Sequence, residues 1–165
     1  MAIVQLDKIL SGVSGNLEHV VVYENIGTKT HLDKYTNGTF VKAVSLEEGE
    51  REAKSAKLAG ATDTDVLMVH VPEMQYDEKA YLRDFKISGG TVARAYRMSL
   101  GDIVTFTTDI LPSEVKVGDK LTVEGGNLVV SADITDATLA FEVIENSGNE
   151  LDSIQKAFAI QVIKA

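Results

Sequence analysis

The chain has no cysteine and no tryptophan, and only two of its 165 residues are proline. Without cysteine there can be no disulfide, no thiolate metal site and no cysteine nucleophile, so stability has to come from packing or assembly. No stretch approaches the roughly 18 consecutive apolar residues of a membrane-spanning helix, and the start, MAIVQLDKILSGVSG, lacks the basic head and long apolar run of a secretory leader. A soluble, unsecreted protein without membrane contact is the expectation. Basic residues are also scarce: 16 Lys and Arg stand against 25 Asp and Glu, a net charge of -9. Clustered cations are what phosphate backbones require, so nucleic acid is not an expected partner.

What is present is an ordinary share of apolar residues, 44%, arranged mostly in short runs. His19 to Tyr23, Gly38 to Leu46 and Asp65 to Pro72 read as strands in the first half, with Asn37-Gly38 supplying turn chemistry. In the second half Val92 to Met98, Asp102 to Thr108, Lys120 to Glu124, Asn127 to Ser131, Leu139 to Ile144 and Lys156 to Lys164 each suit a strand. Glycine pairs and Gly-Asp steps separate them. Within these runs Leu121 and Val123 share one face, as do Leu139, Phe141 and Val143.

The reading is therefore a mainly β protein with a minor helical part. Residues 1–15 are expected to be an arm or a short helix ended by Gly12 or Gly15, and 16–80 a β-rich part with one helix. Residues 81–165 are expected to form an antiparallel barrel or sandwich. The helix is placed at Ser45 to Ala59, where Ser45 and Glu48 make a capping box and Glu47/Arg51 and Glu50/Lys54 stand four apart.

Motifs for chemistry are sparse. His19, His31 and His70 show no metal-ligand spacing, and His70 reads as a surface or hydrogen-bonded histidine within a strand. Asp63-Thr64-Asp65 lacks the rest of a calcium loop and reads as a turn or strand start. Gly12-Val13-Ser14-Gly15 is not a nucleophile elbow, and Gly89-Gly90-Thr91 precedes a strand instead of opening a phosphate-binding helix. No enzyme, metal or cofactor is expected.

One segment stands out. Phe85 to Gly101 holds three basic residues and no acidic one, whereas Asp102 to Asp152 holds eleven acidic and two basic residues. Along a strand Arg94 and Tyr96 face one side and Arg97 the other. Lys86, Arg94, Tyr96 and Arg97 are the candidate contact residues for an acidic neighbouring subunit; snorkelling of Arg94 and pairing of Arg97 with an acid of its own sheet is the competing reading.

The series HVPEMQYDE, YLRDF, GGTVARAYRMSLGDIVTFT and VGDKLTV, followed by Gly-Gly-Asn and a strand, resembles the head decoration, or cement, proteins of tailed bacteriophages. The resemblance is one of layout over about Val69 to Ala165. It implies a virion protein made in the host cytoplasm that binds the outside of the capsid through the major capsid protein, as a trimer or dimer. Such a protein reinforces the shell without any cofactor. The alternatives are a phage tail or head-completion protein, or a β-barrel that binds a small molecule or carbohydrate.

Overall fold

The computed structural model describes residues 2–8, 16–72 and 84–165. Among the described residues fourteen strands make up the regular structure, and no α-helix forms. The mainly β, largely antiparallel architecture follows the sequence reading, and each of the nine strand runs named above contains a strand. The Gly12–Gly15 segment and residues 73–83 lie outside the described residues.

Five strands close on themselves. β2 (Leu17–Asn25) pairs in parallel with β6 (Ala53–Leu58), β6 pairs with β5 (Phe40–Leu46), and β5 pairs with β7 (Val66–Val69). β7 then pairs with β9 (Ala93–Arg97), and β9 returns to β2, completing a barrel without a free edge among these five. Its interior takes Val20, Val22, Val41, Ala56, Leu67, Ala93 and Ala95, residues small enough to fill a narrow barrel when every second side chain turns inward. A two-residue ladder between β4 (Lys34–Tyr35) and β8 (Ile87–Ser88) adds Tyr35 and Ile87 to the same core. Burial pushes the Tyr35 hydroxyl up to about 12. β3 (Thr30–His31) extends the edge of β2, and the His31 ring stacks on Tyr23 at 4.5 Å.

A second sheet, fully antiparallel, has the order β1-β10-β14-β13-β11-β12. Its strands are β1 (Val4–Lys8), β10 (Ile103–Thr107), β11 (Lys120–Glu124), β12 (Asn127–Val130), β13 (Ala140–Gly148) and β14 (Ala157–Lys164). Its inner face packs on the outer face of β5, β7 and β9: Phe40, Met68 and Tyr96 from the barrel share one core with Phe106, Leu121, Phe141 and Ile160. Sheet pairing does not follow the chain division near residue 80, because β1 joins the second sheet while β8 and β9 stay with the barrel.

Two local expectations are corrected. Residues 4–8 are neither an arm nor a helix: they pair with β10, and Ala2 and Val4 are buried in the shared core. The Ser45 to Ala59 helix is replaced by a hairpin in which β5 runs through Leu46, the chain turns, and β6 starts at Ala53. Gly49 sits in that turn at φ +85°, a conformation that a helix interior does not use and glycine adopts without steric cost. Ala-Lys-Ser-Ala-Lys-Leu is a weak strand former alone; pairing on both sides, with β2 and β5, overrides that preference. Glu48, expected to close a capping box, instead pairs with Lys29.

Candidate contact surface

Pleating of β9 decides what its basic residues can reach. Ala93 and Ala95 turn into the barrel, so Arg94 and Tyr96 turn outward. The outside differs along the strand: at Arg94 it is solvent, while at Tyr96 it is the second sheet. Tyr96, expected at a contact surface, is consequently buried in the shared core, with the His70 ring edge-on at 6.3 Å. Burial also holds the His70 imidazole below its ordinary pKa.

Arg97 is engaged within its own chain. Its Nε donates to Asp65 Oδ1 at 3.0 Å, and one terminal nitrogen reaches Glu18 Oε1 at 3.3 Å. The Asp65 carboxylate, ahead of every other cause, keeps the guanidinium pKa above its ordinary value. Glu18 also receives Lys54 Nζ at 2.9 Å, so β2, β6 and β9 are tied by one small ionic network. Own-sheet pairing therefore describes Arg97. Asp63 behaves as the turn reading expects: its carboxylate accepts the Gly60 amide at 2.9 Å and Lys42 Nζ at 2.8 Å, and the hydrogen bond from Lys42 lowers its pKa.

Lys86 and Arg94 are both exposed and line the same depression, with a volume of about 450 Å³. Joining them is His19, which stands directly across from Arg94 in the β2–β9 ladder. Val71, Phe85 and Val92 supply apolar wall, and no carboxylate is among the described residues that line it. Sequence reasoning missed His19, since only the antiparallel register of β2 on β9 brings it beside Arg94. In a chain with a net charge of -9, this is a local region of basic and apolar groups. Arg94 and Lys86 can each offer several N–H donors to an incoming carboxylate, while the phenyl and valine surfaces would gain from desolvation.

A larger groove of about 630 Å³ runs where the end of the barrel meets the second sheet, with Asp65, Arg97, Asp136 and Lys164 on its walls and Met98 and Leu139 between them. Its cations are already engaged: Arg97 as described, and Lys164 Nζ with the Thr135 carbonyl at 2.6 Å. No cluster of three or more His, Asp or Glu suited to a metal ion occurs among the described residues.

On another barrel face, Glu47 accepts hydrogen bonds from the Ser55 hydroxyl at 2.6 Å and the Tyr23 hydroxyl at 2.8 Å. The Ser55 bond leads in holding the Glu47 pKa below the ordinary carboxylate value. Because the folded-state pKa is the lower one, this stabilisation is complete above the unfolded-state pKa and disappears as pH falls through the folded value. Urea midpoints should accordingly separate wild type from Glu47→Gln at neutral pH, with the gap closing below about pH 4. A gap that persists unchanged at pH 3 would mean the carboxylate charge is not what anchors this turn.

In comparisons with protein-family models, characterised proteins and solved structures, none matches this chain.

Proposed function

We propose that this chain is a non-enzymatic structural protein of a phage virion, a decoration protein that binds the outer surface of the head and stabilises it. The observation that carries this reading is the depression with His19, Lys86 and Arg94 against Phe85, set on a closed barrel in an otherwise acidic chain. The layout of Val69 to Ala165 supports it independently, through its resemblance to cement proteins. Part of that layout has a physical counterpart: Asp102 accepts the Ser99 amide at 2.9 Å and Asp119 the Lys116 amide at 2.7 Å, so each Gly-Asp step locks the turn that launches a strand.

Rigidity matters for such a role. A barrel fused to a sheet loses little conformational entropy on docking, and many copies on a lattice turn a modest contact into a tight one. The major capsid protein is the partner on this reading, and the mature location is the outside of the virion.

Purified protein mixed with phage heads lacking a decoration protein should pellet with them and saturate at a fixed number per head. Protein left in the supernatant at saturating amounts would contradict the proposal. The ligand-binding alternative rests on the larger groove. Sugar recognition commonly uses an aromatic platform, and no aromatic side chain lines that groove among the described residues.

A further inference from the structure

The depression holds basic side chains of two kinds. Lysine and arginine carry their charge throughout the neutral range, whereas imidazole is the side chain that ordinarily changes charge between pH 5 and 8. Register puts His19 among the permanent cations. It stands directly across from Arg94 in the β2–β9 ladder, so the two side chains share the outer face of the barrel and line the same mouth with Lys86. Half-buried there, His19 is within reach of whatever docks.

The charged groups of its own chain that stand near it leave it facing cations. On the other flank of β2 the residue opposite is Ala53; Lys54, next along β6, turns to the opposite face and meets Glu18, whose carboxylate also takes Arg97. Glu52 is exposed but does not line the depression. Just past β7, His70 gives its amide to the Arg94 carbonyl, while its ring stands edge-on to Tyr96. Among the described residues lining the mouth, His19 therefore faces Arg94 and Lys86, with the hydroxyls of Ser88 and Thr91 alongside and no carboxylate. The carboxylate that would hold an imidazolium has to come with the partner.

We infer that His19 makes docking pH-dependent: the depression grips an acidic segment of the capsid surface more tightly as pH falls from about 8 to about 6, taking up a proton at His19 as the carboxylate seats between it and Arg94. This rests on the proposed reading of the depression as the adhesive site and gives that site a regulator. An opposite charge within ~4–6 Å favours the charged form of an imidazole by roughly one pKa unit or more. The bound state thus has the higher imidazole pKa. Its extra affinity is complete below the free-state pKa and is lost as pH rises through the bound-state value. Arginine, lysine and the partner's carboxylates, which ordinarily titrate near 4, keep their charges across this window.

Pelleting isotherms with phage heads lacking a decoration protein, at fixed ionic strength, read the effect. Wild type should bind about tenfold tighter at about pH 5.5 than at about pH 8.5, the factor that one pKa unit represents. His19→Gln, polar but uncharged, should show the weak affinity of wild type at the upper pH throughout. His19→Lys, charged at both values, should bind tightly at both. His31→Gln, at the exposed histidine of β3, should keep the wild-type pH profile. Circular dichroism at both pH values establishes that each variant is folded.

Wild type that pellets equally well at both pH values, or a His19→Gln protein that keeps the wild-type profile, would overturn the inference and leave the decoration reading standing. Wild type that pellets at neither would overturn both.

Discussion

Replacing Phe40 with alanine should lower the free energy of unfolding by about 3–5 kcal/mol, the range for removing a buried phenyl group. Phe40 belongs to the barrel by its backbone and to the second sheet by its side chain. Its ring is fully buried, with centroids 6.2 Å from Phe106 and 5.5 Å from Phe141. Its amide donates to the Gly126 carbonyl at 2.8 Å, and its own carbonyl accepts the Ala59 amide at 3.1 Å. Truncation leaves a cavity where two layers meet, and the backbone bonds limit how far either layer can collapse into it. Urea denaturation followed by circular dichroism and tyrosine fluorescence should give coincident transitions in wild type. A loss below about 1 kcal/mol would show that the layers do not depend on this residue.

Alanine at Gly89 should be nearly as damaging, at about 3 kcal/mol, the upper end for overpacking because the obstacle is backbone and cannot rotate away. A Cβ at this position would stand 1.9 Å from the Leu32 carbonyl oxygen and 3.2 Å from that of Asp33. The Gly89 amide donates to the Asp33 carbonyl at 2.8 Å, so the two segments cannot separate without losing that bond. Moving them apart also pulls β8 from β4 and uncovers Tyr35 and Ile87. Ile87 and Ser88 help form the depression, so binding should weaken together with stability. A Gly89→Ala protein with an unchanged urea midpoint would contradict this placement of β4 and β8.

Most of the longer strands were legible from alternation, although β1, where Val4 and Leu6 alternate with polar residues, was read as an arm or short helix. β9 shows both the reach and the limit of that signal. Its period of two correctly separates Ala93 and Ala95 from Arg94 and Tyr96, yet it cannot say that a second sheet covers the outer face at Tyr96 and stops short of Arg94. That is a fact of tertiary packing. β6 was missed for a related reason: Ser45 to Ala59 carries helix-forming residues and plausible ion pairs, and only its position between β2 and β5 makes it a strand. β3, β4 and β8 are two residues each, too short for any period to register. Of the four candidate contact residues, Lys86 and Arg94 converge on one depression, Arg97 is held by Asp65 and Glu18, and Tyr96 is core. A basic segment in an acidic chain marked the region; the register of β2 on β9 adds His19 to it.

Function, on this account, resides in the charge and shape of one exterior depression. Sedimentation of phage heads lacking a decoration protein, incubated with wild type or with a Lys86→Glu/Arg94→Glu double variant, tests it most directly. The account predicts saturable pelleting of wild type that weakens as salt rises, and a folded double variant that stays in the supernatant. A double variant that pellets as well as wild type, at every salt concentration, would contradict it.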